Sequence, residues 1–283
     1  MRQILWGFFK KIVVADNCAI IVNNIFENYT EFNGSTLFLG AIFFTFQIYG
    51  DFSGYSDIAL GTARLFGFEL MQNFKYPYFS RDIAEFWRRW HISLTTWFRD
   101  YIYIPLGGSR VSKTKIVRNT FIIFLVSGFW HGANWTFIIW GFYHAILFLP
   151  LILFGKNRKH TDIVAENSKL PSIKEALQMG VTFLLAVFGW IIFRAENIQS
   201  AYAYIANIFS PSLFSIPTIF GKKAMLAICI LLLAEWIQRK KDHALQIDNI
   251  KNGFIRYIIY MIIAFIILFL GEFGDNQFIY FQF

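Results

Sequence analysis

The sequence predicts an all-α protein made of membrane-crossing helices, and three observations predict it. It is 56% hydrophobic with only 16% charged residues, against roughly 25% charged in a soluble domain. Its mean hydropathy is +0.47. One residue in five is aromatic, and Trp and Tyr concentrate where a ring can be half wet and half dry. A soluble protein this apolar would expose large adhesive patches. The net charge of +8 would suggest nucleic acid in a soluble chain. Here the Lys and Arg residues fall between apolar runs, as in loops of membrane proteins, so membrane lipids are expected as partners and nucleic acid is not.

A helix needs about 20 residues to cross the hydrocarbon core. Ile12 to Phe26 is a weak span, interrupted by Asp16, Asn17, Asn23 and Asn24. Phe32 to Gly50 is uncharged, runs into the polar stretch Asp51-Phe52-Ser53-Gly54-Tyr55-Ser56-Asp57, and resumes as Ile58 to Phe68. This reads as two helical pieces joined by a polar break. Asn119 to Gly155 carries no Asp, Glu, Lys or Arg. A straight helix of that length would run roughly 55 Å, too long for a core of about 30 Å, so the chain must turn, and Gly132-Ala133-Asn134 is the place. Further spans are expected at Ala176–Phe193, Ala224–Gln238 and Tyr257–Gly271. Basic clusters at 110–118, 156–159 and 239–241 are placed in the cytoplasm by the positive-inside rule. The uncharged loop 197–220 and the C-terminal stretch with Glu272 and Asp275 then face outside; Lys222 and Lys223 depart from the pattern.

Residues 73–118 differ, being polar yet aromatic. Ser80 reads as an N-cap with Asp82 in the first turn. From Asp82 to Trp97, helical spacing puts Phe86, Trp90, Leu94 and Trp97 on one face, and Arg88, His91, Thr95 and Arg99 on another. Glu85 is positioned to pair with Arg88 and Arg89. The segment is expected to be one amphipathic helix lying at an interface or under a funnel, not a span.

Cys18 and Cys229 form no framework, and no His, Cys or Glu cluster has metal spacing, so no metal is expected. His160 and His243 sit in basic loops and read as solvated; His144 reads as a packing or hydrogen-bonding residue. His131 is different. It lies in Ser127-Gly128-Phe129-Trp130-His131-Gly132-Ala133-Asn134-Trp135, midway along the longest uncharged run. Ionisable groups at membrane depth mark functional sites by default, and Gly128 and Gly132 permit close approach of a backbone or substrate. A desolvated imidazole stays neutral and can take a proton from a hydroxyl. The alternatives are a histidine satisfied by a neighbouring helix and, for His91, an interface histidine beside Trp90.

Several motifs then resemble one family. They are Asp51-Phe52-Ser53-Gly54-Tyr55-Ser56-Asp57, Asn73-Phe74, Pro77-Tyr78, Glu85-Phe86-Trp87-Arg88-Arg89-Trp90-His91-Ile92-Ser93-Leu94, Arg99-Asp100-Tyr101, Tyr103-Ile104-Pro105-Leu106-Gly107-Gly108 and Gly128-Phe129-Trp130-His131-Gly132-Ala133. In this order they resemble the membrane-bound O-acyltransferase family, in its alginate O-acetyltransferase-like branch. The likeness is dense from Trp6 to Gly141 and resumes at Phe278-Ile279-Tyr280-Phe281.

The resemblance implies a single domain over 1–283, a polytopic bundle of tilted and broken helices around a central tunnel, in the bacterial cytoplasmic (inner) membrane. It implies acyl transfer, with acetyl-CoA as donor substrate and no bound cofactor, toward hydroxyls of an exported polysaccharide or a periplasmic relay protein. By motif, the invariant histidine of the family falls on His131 and its second polar position on His91. Substrate contacts are expected at Arg88, Arg89, Trp130, Asn134 and Asp100. Relatives carry several spans ahead of the point matching Trp6–Asn17, so the chain is expected to be N-terminally truncated. A polysaccharide or lipid-linked sugar transporter and a non-catalytic assembly subunit fit the same aromatic spans and intramembrane polar residues.

Overall fold

The structure is a computed structural model describing residues 1–274 and 278. The sequence-based expectations at Asp275 and Ile279-Tyr280-Phe281 lie outside the described residues. Among the described residues the chain is helical and has no strand. The helices are α1 (Arg2–Phe8), α2 (Asp16–Glu27), α3 (Gly34–Leu65), α4 (Ile83–Arg89), α5 (Ile92–Phe98), α6 (Lys113–Trp130), α7 (Trp135–Leu153), α8 (Ile173–Arg194), α9 (Ile198–Ile208), α10 (Lys222–Ile237) and α11 (Gly253–Leu270). Wider, π-helical turns occupy Phe9–Ala15 and Arg99–Tyr103. Among the described residues three helices, α7, α8 and α11, are long and apolar enough to cross a membrane. The span expected at Ala224–Gln238 forms as α10, whose 16 residues fall short of the length needed.

The chain divides into two compact units, Met1–Gln72 with the described residues from Ala206 onward, and Asn73–Ile205. In the first unit the expected break at 51–57 does not occur, and α3 runs through it as one 32-residue helix. The reason is pairing. Asp57 receives Lys10 at 2.7 Å and the Gln3 amide at 2.8 Å. Asp51 receives Lys11 at 2.7 Å, and the same ammonium reaches Asp16 at 2.8 Å. Gly54 lies against the Gly7 carbonyl, so close that a β-carbon would stand 2.8 Å from it. Small residues of this kind let two helix backbones touch. The polar run is thus a buried face of α3 that meets the two lysines of the π-helical turn. Farther along, Tyr49 donates to the buried Glu235 of α10 at 2.8 Å. His243, expected to be solvated, is buried here, at 7% exposure. Cys18 is buried, Cys229 is exposed, and neither is bonded to the other. On α11 the buried side chains are Ile263 and Ile267, which leaves most of its apolar surface facing outward.

In the second unit α6 and α7 form a hairpin that turns at His131–Asn134, where the uncharged run had to fold back. The single amphipathic helix expected over 82–97 is instead two short helices. Asp82, not Ser80, caps α4, its carboxylate accepting from the Glu85 N–H at 2.7 Å. The Ser80 hydroxyl donates to the Pro77 carbonyl. In α4, Ile83, Ala84, Glu85 and Phe86 are buried, whereas α5 is half-buried along most of its length. The helical period survives through Trp90, which is 2% exposed, but after the break at His91 it sends Trp97 outward.

Candidate active site

His131 follows the last residue of α6, where its N–H reaches the Gly128 carbonyl at 3.0 Å. Gly132 takes φ +147°, a conformation that only glycine adopts readily, and this swings the chain into α7. Asn134 caps α7, accepting from the Thr136 N–H at 3.0 Å, while its amide donates to the Glu196 carbonyl at 2.8 Å. The arms of the hairpin press together at two glycines. A β-carbon at Gly128 would stand 2.2 Å from the Phe137 carbonyl oxygen, and one at Gly141 would stand 2.2 Å from that of Phe124. This contact fixes where His131 sits. Its imidazole stands edge-on to Trp140 at 5.3 Å and to Phe193 at 5.0 Å, with Phe137 at 6.1 Å.

His91 comes to the same place from the other direction. It takes φ 45° and ψ 55°, left-handed backbone that is uncommon outside glycine and is found at strained functional positions. Neighbouring backbone holds the bend. The Lys75 N–H donates to the Arg89 carbonyl at 3.0 Å, the Ile92 N–H to the Asn73 carbonyl at 2.9 Å, and the Ser93 hydroxyl to the Asn73 side chain at 2.6 Å. The two imidazoles, forty residues apart in sequence, lie near enough that a charge on His131 acts on His91. Both are half-buried. Burial holds each well below the ordinary histidine range, at about 4, and His131 adds to the effect on His91. Both are therefore neutral at physiological pH.

The remaining expected site residues are arranged differently. Arg88 donates to the Asn157 and His160 carbonyls at 2.8 and 2.6 Å. Arg89 pairs with Glu85 at 2.7 Å and donates to the Asp162 carbonyl at 3.0 Å. Glu85 also holds Arg81, at 3.0 Å, whose guanidinium reaches Asp162. The expected Glu85–Arg88 pair is thus replaced by Glu85–Arg81. These arginines fasten residues 157–162 to α4, and His160 in that loop, expected to be solvated, is half-buried. Asp100 lies on the surface, where hydrogen bonds from Arg99 at 2.7 and 3.1 Å hold its carboxyl below the usual range. Trp130 is exposed and leans on Trp97 and Phe98.

Sequence reasoning missed the wall behind the imidazoles. Trp140, Trp190 and Phe193 pack against one another, and Trp90 stands 4.8 Å from Trp190. His144 has the packing role expected of it, between Trp87 at 4.9 Å and Trp140 at 5.0 Å. Trp140 lies nine residues past His131, a spacing that on its own marks nothing. Two half-buried imidazoles, in a helical protein with apolar helices long enough to cross a bilayer, are the features of a helical membrane protein with ionisable groups set away from water.

A profile of the membrane-bound O-acyltransferase family matches residues 1–199, and the chain belongs to that family. It is 44% identical over 208 residues to the protein named probable alginate O-acetylase of Pseudomonas aeruginosa, covering 74% of this chain and 38% of that one. It is 40% identical over 196 residues to the peptidoglycan O-acetyltransferase of Helicobacter pylori, covering 69% and 36%. With the teichoic acid D-alanyltransferase of Bacillus subtilis it shares 31% over 209 residues, covering 69% and 50%. The chain thus spans between about a third and a half of the length of these relatives.

Proposed function

We propose that this chain carries the catalytic centre of an O-acyltransferase that moves an acetyl group from acetyl-CoA toward hydroxyls of an exported polysaccharide. The hydroxyl receiving the group belongs to the polysaccharide or to a relay protein beyond the membrane. The single observation that supports the reading is that His131 and His91 are both held neutral by burial, near enough for a charge on His131 to act on His91. A neutral imidazole is the form that accepts a proton. General-base catalysis of this kind contributes about 10²–10⁴ to the rate. His131 deprotonates the acceptor, and His91 orients the donor carbonyl and stabilises the charge it develops.

Arg88 and Arg89 serve as positioning residues, because their donors are committed to the 157–162 loop and Glu85. The basic stretch 110–118 then attracts the donor phosphates. Trp130 and Asp100 are proposed as acceptor contacts, and Asn134 as the residue that sets the turn carrying His131. We read 1–283 as one catalytic domain; the family match covers residues 1–199, which include residues of both units. The bundle is polytopic in the bacterial inner membrane, with the basic loops cytoplasmic and a tunnel leading to the two histidines. Relatives named for alginate, peptidoglycan and teichoic acid support an envelope glycopolymer as the final acceptor.

The test replaces His131 with Gln and measures acetyl transfer from labelled acetyl-CoA in membranes holding equal amounts of protein. Loss of transfer is expected. Near-native transfer removes the base, and sugar movement without an acyl donor would favour a transporter instead.

A further inference from the structure

A buried N–H left without an acceptor costs about 1–3 kcal/mol, so native interiors hold few of them. Beside His131 there are several in one patch. Among the described residues the indole N–H groups of Trp87, Trp140 and Trp190, and both ring nitrogens of His144, meet no protein partner. Trp140 and His144 are each 1% exposed and Trp190 is 2% exposed. The patch is continuous. From Trp140 the ring centre of His144 lies 5.0 Å away, that of Trp87 5.6 Å and that of Trp190 6.0 Å. An indole donates and cannot accept, and a neutral imidazole donates once. The patch therefore offers more N–H than lone pairs, which suits an incoming oxygen. It adjoins the proposed base, since Trp140 stands edge-on to His131 at 5.3 Å. Of the three rings described against His131, namely Phe137, Trp140 and Phe193, only Trp140 carries a donor.

We propose that the Trp140 indole N–H is an oxyanion donor for acyl transfer at His131, and that its acceptor is the carbonyl oxygen of an acyl thioester. The inference rests on the reading of His131 as the base. As the acceptor hydroxyl attacks, its O–H bond breaks and the proton passes to His131. A C–O bond forms at the thioester carbon, and the carbonyl π pair moves onto oxygen. The indole N–H, which keeps its own proton, stabilises that charge. On collapse the carbonyl reforms, the C–S bond breaks, and the sulfur leaves with the proton from His131. Such a donor is already in place before charge develops, and removing one typically lowers kcat by about 10²–10³. Trp190, stacked on Trp140, and His144, edge-on to it, are positioning residues that hold its ring plane.

The test places benzothienylalanine at 140 in the full chain, reconstituted in lipid with acetyl-CoA and a hydroxyl acceptor. This residue keeps the two-ring outline and has sulfur where the indole has N–H. Trp140→Phe is a second variant. A fall in kcat of about 100-fold is expected, with both KM values within about threefold of native and an unchanged melting temperature. Native kcat in the benzothienyl variant overturns the proposal. So does a loss that appears only in KM, or only together with a lowered melting temperature. His131→Gln run in parallel separates the two readings. Activity retained in that variant removes the base, whereas activity lost there but native in the Trp140 variant removes the donor alone.

Discussion

Gly128→Ala tests whether the α6–α7 contact sets the catalytic geometry. The added methyl would stand 2.2 Å from the Phe137 carbonyl oxygen, a backbone atom that no side-chain rotation can move aside. Ordinary contact begins at about 3.4 Å, so the arms of the hairpin must separate locally by about 1.2 Å. His131 sits three residues beyond this contact on one arm, and Trp140 sits three residues beyond Phe137 on the other, so the separation falls between them. A misplacement of about 1 Å in a reacting group can cost about 10² in rate. Overpacking also costs about 1–3 kcal/mol of stability. The assay is acetyl transfer by the purified variant in lipid, with a melting curve on the same sample. The expected result is a kcat lowered about 100-fold, beyond what the fraction unfolded explains. Gly180→Ala is the control, because nothing lies within 4 Å of its added methyl. It should be neutral, or stabilising by about 0.5–1 kcal/mol. If Gly128→Ala melts a few degrees lower but turns over at the native rate, the hairpin contact does not position the base.

Three further outcomes follow from the same structure. Because His131 and His91 are held at about 4, kcat should stay level from pH 8 down to about 5 rather than fall near the ordinary histidine value of about 6.5; a midpoint near 6.5 in the rate profile refutes their burial. Stability should move with pH in a definite direction: the unfolded chain takes up protons below about 6.5 and the folded chain only near 4, so the contribution of the neutral imidazoles is lost as pH falls through that window, and a melting series on the native protein and His91→Gln measures it. Glu85→Gln removes the charge shared by Arg81 and Arg89 and should cost about 3–5 kcal/mol, with faster protease cleavage at residues 157–165; an unchanged cleavage rate would mean the loop is held by other contacts.

What the sequence made legible depended on how local the cause was. The hairpin turn at Gly132-Ala133-Asn134 could be read because the limit is a length, and no uncharged run of that size fits a bilayer as one straight helix. The bend at His91 could not. The apolar period runs unbroken from Phe86 to Trp97, and what breaks the helix is a set of hydrogen bonds from Asn73 and Lys75, almost twenty residues earlier. The roles of Arg88 and Arg89 were hidden for the same reason, since their partners arrive from residues 157–162. Motif likeness pointed to His91 without knowledge of the bend, because it depends on residue order alone.

The polar run 51–57 shows why depth alone does not mark chemistry. By the rule that ionisable groups within apolar segments are functional, Asp51 and Asp57 are as suspect as His131. The structure separates them by what surrounds each group. Asp51 and Asp57 meet Lys11 and Lys10 at hydrogen-bonding distance, so their charges are compensated. Removing either carboxylate would strip a lysine of a counter-charge. Rings described against His131 are those of Phe137, Trp140 and Phe193, and a second imidazole, His91, lies within electrostatic reach. Buried carboxylates with cations beside them hold α3 to the π-helical turn, whereas the half-buried imidazole at 131 is described against aromatic rings, and that contrast in surroundings is what distinguishes it from 51 and 57.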